Sequence, residues 1–210
     1  GWTTTRPAMT SEPGVRALLA ALAEGDPDEI LPLSGMLAGV GRRAFGMLLL
    51  ISALPAFIPI PGGGAISGPL TVLVGAQLLA GRRQPWLPKA VGKRGPHRGA
   101  LARFQRHISR PLAWLEKLVR PRLSGMFGHR AATVCSGLLL VLLGVLMTLP
   151  IPFTNYPLGG LILLFALALL ERDGVLMLIA WGSSAVGSVS LGLLSGNLLA
   201  QAGKWLDGML

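Results

Sequence analysis

Apolar residues in this chain gather into long runs that are interrupted by glycine, proline and arginine. Residues 44–60 are apolar apart from Ser52 and a few glycine and proline positions. A short apolar run follows at 70–80, a longer one at 131–151, a short one at 158–170, and a long Gly- and Ser-rich one at 175–200. A helix that crosses a bilayer needs about 20 apolar residues at 1.5 Å each. The two short runs would reach only about 17–20 Å against a hydrocarbon core of ~30 Å. They read as half-membrane limbs, re-entrant where other protein covers their irregular ends. Upstream, Val15, Leu18, Leu19 and Leu22 fall on one helical face, and Gly25 ends that helix. Asp26-Pro27-Asp28-Glu29 then predicts the start of a second helix with the stripe Ile30, Leu33, Leu37 and Val40. This N-terminal pair is either a small soluble cap or two interfacial helices lying on a membrane.

Two proline triplets mark where the apolar runs turn. Pro59-Ile60-Pro61 precedes Gly62-Gly63-Gly64, and Pro150-Ile151-Pro152 precedes Phe153-Thr154-Asn155-Tyr156-Pro157. Proline removes a backbone donor and disfavours helix in the residue before it, so both triplets break helices within apolar sequence. Each follows a leucine-rich run and precedes a short limb and a charged turn, Gly81-Arg82-Arg83 or Glu171-Arg172-Asp173-Gly174. This is the pattern of an internal repeat. Interrupted hydrophobic segments at matching positions point to a transporter-like site, with Pro59, Pro61, Pro150, Pro152 and Asn155 as candidates. Arg42, Arg43, Arg82, Arg83, Arg130 and Arg172 flank both hairpins, so the positive-inside rule starts and ends each on the cytoplasmic side. Both tips then point the same way, as parallel rather than inverted repeats.

The expected fold is an all-α integral membrane protein, one domain over residues 1–210. It has amphipathic helices over 15–41, a Pro-Ile-Pro-broken hairpin over 42–81, a basic segment over 82–130, a second hairpin over 131–172, and a C-terminal helix over 175–200.

Composition agrees. Of 210 residues 51% are hydrophobic and only 13% charged, about half the charge of an ordinary soluble domain. The net charge of +10 is concentrated, because residues 82–130 hold 13 of the 19 Lys and Arg but only one acid, Glu116. Within this block Leu101, Phe104, Ile108, Leu112, Leu115 and Val119 form an apolar helical stripe, and Pro111 is expected to kink or divide the helix. Arg98, Arg103, Arg106, Arg110 and Lys117 occupy the other faces. With Phe104 and Trp114, that is the pattern of a helix in the headgroup layer, binding anionic lipid rather than nucleic acid. In the last segment Ala180, Ser184, Ser188, Gly192, Gly196 and Ala200 recur every fourth residue, a stripe that permits close packing within the protomer or in a homodimer.

Candidate chemistry is sparse. The single cysteine, Cys135, excludes a disulfide within the chain, and no cofactor or metal motif is visible. The serines at 183, 184 and 190 lack a neighbouring base, so no enzyme is expected. Glu171, Arg172 and Asp173 would form a functional site at membrane depth. In a cytoplasmic turn they form a polar cap, with Asp173-Gly174 opening the next helix. Residues 1–29 lack an early apolar core, so no cleavable signal peptide is expected.

An ordered set of short motifs is more specific than any of its parts. It comprises Ala53-Leu54-Pro55, Ile58-Pro59-Ile60-Pro61-Gly62, Gln77-Leu78-Leu79-Ala80-Gly81-Arg82-Arg83, Pro85-Trp86-Leu87-Pro88, Arg120-Pro121-Arg122-Leu123, Leu149-Pro150-Ile151-Pro152 and Glu171-Arg172-Asp173-Gly174. From about Val15 onward the chain resembles the ExoD family of bacterial exopolysaccharide synthesis proteins. The resemblance implies an inner-membrane protein connected with exopolysaccharide production. Joined to the Pro-broken helices, it leads to the expectation of a protein that supports synthesis or export by moving ions or a small anionic or lipid-linked substrate. The alternative is a scaffold whose basic helix recruits the synthesis machinery or anionic lipid. At the second tip this chain keeps Asn155 and Pro157 but lacks the family's glycine.

Overall fold

The computed structural model describes residues 15–37, 43–57, 62–118, 125, 128–149 and 153–208. Pro59, Pro61, Pro150 and Pro152 lie outside the described residues. All secondary structure among the described residues is helical apart from one isolated bridge. The helices are α1 (Val15–Ala23), α2 (Leu33–Leu37), α3 (Ala44–Phe57), α4 (Gly63–Leu79), α5 (Lys89–Gly92), α6 (Arg98–Leu118), α7 (Arg130–Thr148), α8 (Asn155–Glu171) and α9 (Gly174–Asp207).

At the centre, α3 packs against α8 and α4 against α7, with α3 beside α4. Twelve of the fourteen residues of α3 are buried. α3 is apolar all round and covered nearly all round, whereas α8, equally apolar, buries eight of its seventeen residues. Both pairs are antiparallel. On α3 and α8, a methyl group at Gly46 would lie 2.7 Å from Leu170 Cγ, and one at Gly159 would lie 2.9 Å from Ala56 Cβ. On α4 and α7 the contact is backbone to backbone and reciprocal. A methyl at Gly75 would fall 2.7 Å from the Gly137 carbonyl oxygen, and one at Gly137 would fall 2.7 Å from that of Gly75. Two turns further, Gly68 and Gly144 face each other in the same way. Glycine lets two helices approach until their backbones touch. The first helix of each hairpin therefore packs against the second helix of the other.

The short limbs are longer than the sequence pattern predicts. α4 starts at Gly63 instead of residue 70, and α8 starts at Asn155 instead of 158, so each has 17 residues and reaches about 25 Å. Pro157 sits in the first turn of α8, where its missing donor breaks no helical bond. Pro69 lies inside α4 on its exposed side, away from the glycine contacts.

The predicted second N-terminal helix is mostly absent. Asp26 instead closes a turn, accepting a bond from the Asp28 amide through Oδ1 at 3.0 Å. The chain then runs extended, with Leu31 N–H donating to Pro96 O, Leu33 N–H to Arg94 O and Arg98 N–H to Glu29 O. Pro32 explains the change, since it disfavours helix at Leu31 and cannot donate itself. Only Leu33–Leu37 is helical, and Val40 lies outside the described residues. α6, in contrast, runs unbroken through Pro111. An interior proline costs about 3 kcal/mol, and burial of Leu101, Phe104, Ile108 and Leu112 on one face opposes that cost.

Candidate functional site

The bundle is polarised end to end. One end gathers the charged turns. Arg43 donates from Nε to the Leu170 carbonyl at 3.0 Å, Arg82 and Arg83 follow α4, Arg130 starts α7, and Glu171, Arg172 and Asp173 join α8 to α9. The other end gathers the two breaks. There the Phe57 and Tyr156 rings meet edge to face at 6.5 Å, and a methyl at Gly64 would lie 2.4 Å from Met147 O and 2.9 Å from Asn155 Oδ1. Between Phe57 and Gly63, and between Leu149 and Pro157, the only ionisable side chain is Tyr156. Asn155 thus stands where the two hairpins meet. Phe153 turns the chain there with φ of +68° and is 87% exposed. This is the left-handed conformation that glycine adopts without strain. The glycine expected directly before Asn155 is replaced by Thr154, whose φ of −82° needs no glycine.

Glu171, Arg172 and Asp173 form a turn. Arg172 adopts φ of +52° as the C-cap of α8, and Asp173 caps α9. Asp173 is buried, and its Oδ1 accepts bonds from the Val175 amide at 2.9 Å and the Leu176 amide at 3.3 Å. A capping carboxylate at the positive end of a helix explains this acid without a ligand. Asp173→Ala is expected to lower unfolding stability by at least ~1 kcal/mol, with Asp173→Asn much closer to wild type, as read from thermal melts in detergent.

The basic helix differs most from its sequence reading. Arg98 is engaged within the chain. Its guanidinium bonds Glu29 Oε2 at 2.7 Å and the carbonyls of Leu22 and Glu24 at the end of α1. Phe104 is buried against Phe57, ring centroids 5.8 Å apart, so it is not available to a membrane surface. The apolar face of α6 is already covered by α1 and α3. Arg103, Arg106, His107, Arg110, Trp114 and Lys117 lie on the opposite face, all exposed. Leu101 packs near Met47, Leu50 and Ile51, and Phe104 near Phe57, so the first turns of α6 lie against α3. Four cations along the flank of the bundle cannot face acyl chains, at about 2.5–3.5 kcal/mol each near the bilayer centre.

The remaining surfaces differ in character. α7 sits at the corner diagonal to α3 and exposes Val134, Leu138, Leu142, Val145 and Leu149, a purely apolar stripe. On α9, Ser184 is buried and Ser188 half-buried against the bundle, while methyl groups at Gly192 and Gly196 would meet no atom within 4 Å. Close packing within the chain therefore accounts for the first half of that stripe only. α7 and residues Gly174–Asn197 of α9 are long and apolar enough to cross a membrane. Sequence reasoning also missed Gln77. Its buried amide donates to the Trp86 carbonyl and accepts from the Trp86 amide, pinning the Arg82-Arg83 loop to α4. Among the described residues no three His, Cys, Asp or Glu side chains gather as metal ligands would.

Residues 15–193 match the family described as "Exopolysaccharide synthesis, ExoD". An uncharacterized protein of Synechocystis sp. is 30% identical over 167 residues, which are 77% of this chain and 76% of that protein. Protein ExoD of Rhizobium meliloti is 30% identical over 152 residues, 70% of this chain and 63% of that protein, so just under two thirds of its length is spanned. No solved structure matches.

Proposed function

The chain belongs to the ExoD family of exopolysaccharide-synthesis proteins, and from that premise we propose that it is a multi-pass protein of the bacterial inner membrane that supports polysaccharide synthesis or export by moving ions or a small anionic or lipid-linked substrate, with no catalytic step. In this reading α3–α4 and α7–α8 are two copies of one broken hairpin, side by side with both breaks pointing into the membrane from the cytoplasmic face. The observation that carries it is the meeting of the two breaks around Asn155 and Gly64, at the end where α3, α4, α7 and α8 themselves carry no charged residue. Broken helix ends at membrane depth present unpaired backbone groups to a substrate, and an asparagine adds both donor and acceptor. Helices of 14 to 17 residues reach about 21–25 Å, which suits limbs that stop within a core of ~30 Å. Glu171, Arg172 and Asp173 then belong to the cytoplasmic turn and not to the path.

Two measurements test this. In a Cys135→Ser background, Ala65→Cys and Phe153→Cys should share one accessibility to a membrane-impermeant thiol reagent, and Arg83→Cys should have the opposite one. Labelling of residues 65 and 153 from opposite faces would remove the parallel arrangement. In proteoliposomes under a pH gradient, flux should fall at least tenfold in Asn155→Leu; a chain that carries no ion or lipid in that assay is not a transporter.

A further inference from the structure

Among the described residues the outward face of α6 has no structural task. Its apolar side is spent on the bundle, since Leu101, Phe104, Ile108 and Leu112 are each under 5% exposed. On the far side Arg103, Arg106, Arg110 and Lys117 follow one another at spacings of three, four and seven residues, and so form a single ridge. Among the described residues none of the four is paired with a carboxylate. The Nε atoms of Arg103 and Arg106 reach only carbonyls of their own helix, at 3.4 Å. Trp114 stands in the same ridge and is 65% exposed. A large aromatic ring left in water among cations calls for an explanation, and the membrane interface supplies one. Its indole takes the position between headgroup and chain that interfacial tryptophans favour, while the cations take the phosphates.

We propose that this ridge of α6 is a docking surface for the anionic phospholipid headgroups of the bilayer in which the chain sits, with Trp114 as its anchor. The apolar stripes of α7 and α9 place lipid beside the bundle, within reach of a helix that runs along its opposite flank. The ridge therefore meets the headgroup layer with its polar face. A basic helix with an exposed tryptophan also fits single-stranded nucleic acid, but such a partner leaves the apolar stripes unexplained.

The inference rests on membrane placement and is independent of transport. It is tested by reconstituting the full chain in vesicles containing brominated phosphatidylglycerol or brominated phosphatidylcholine, and reading tryptophan quenching in wild type and in Trp114→Phe. The difference between the two isolates Trp114. Selectivity for phosphatidylglycerol at Trp114 should be at least about fivefold, and should fall towards one in Arg103→Gln/Arg106→Gln/Arg110→Gln/Lys117→Gln and in 0.5 M salt, as expected for surface charge within a Debye length. The variant carrying lysine at all three arginine positions should keep it, which separates charge from misfolding. Quenching of the other tryptophans without headgroup selectivity at Trp114 overturns the proposal. So does a short single-stranded oligonucleotide that displaces the lipid at equal concentration. No quenching at any tryptophan would instead remove membrane placement itself.

Discussion

Gly75→Leu is expected to break the bundle apart. The Gly75 and Gly137 backbones touch, and a Cβ at either lies 2.7 Å from the other's carbonyl oxygen. A Cβ at Gly75 also lies 2.8 Å from the amide nitrogen of Val141, which belongs to the same rigid backbone. No rotamer change relieves a clash with main chain, so α4 and α7 must separate along their length. Separation also pulls apart Gly68 and Gly144, two turns away. Overpacking commonly costs 1–3 kcal/mol, and two helices forced apart should exceed about 3 kcal/mol. In detergent this would lower the melting midpoint by roughly 6–12 °C or more for a chain of this size. Gly192→Leu is the matching control, because a Cβ there would meet no described atom within 4 Å. Its midpoint should stay near wild type. If its particle size changes while its stability does not, the outer half of the α9 stripe is a contact between copies.

Phe165→Ala should have the second largest effect. Phe165 lies in the middle of α8 and is the largest fully buried side chain among the described residues. Its neighbours along α8, Ile162, Ala166 and Leu167, are buried as well, so the cavity left by truncation cannot fill from solvent or lipid. A loss of about 3–5 kcal/mol is expected in reversible unfolding in mixed micelles, and Phe165→Leu should recover most of it. A loss below ~1 kcal/mol would mean that the packing around α8 is loose.

Much of this architecture is legible in the sequence, and the failures have physical causes. Length and hydropathy place α3, α7 and α9, while both proline triplets lie outside the described residues, in the intervals between α3 and α4 and between α7 and α8. Glycines misled where they were read as breakers. Gly63 and Gly64 begin α4, while Gly68 and Gly75 are its contact face, because tertiary approach outweighs a helix propensity deficit of about 1 kcal/mol per glycine. Pro32 was overlooked against a convincing apolar periodicity, and it sets the extended course of residues 29–33. For α6 the amphipathic pattern is right but its direction is reversed. A hydrophobic stripe shows that a face is buried, and not whether lipid or protein buries it. The pairing of Arg98 with Glu29 and with the carbonyls of Leu22 and Glu24 spans some seventy residues and left no local signal. At the candidate site, Asn155 was visible as a polar residue beside a break, whereas its closeness to Gly64 depends on how the hairpins pair.

That pairing also sets a timetable for biosynthesis. Neither α3 nor α4 finds its main partner within its own hairpin. α4 waits for α7, which begins 67 residues after it, and α3 for α8, which begins 111 residues after it, intervals of roughly 3–22 s at ribosomal rates. Until then the Gly68 and Gly75 face of α4 and the apolar surface of α3 stay uncovered, and in the proposed membrane placement the insertion machinery must shelter them. A nascent chain arrested before α7 should therefore be held by that machinery and degraded when released, however well its first hairpin has been threaded into the membrane.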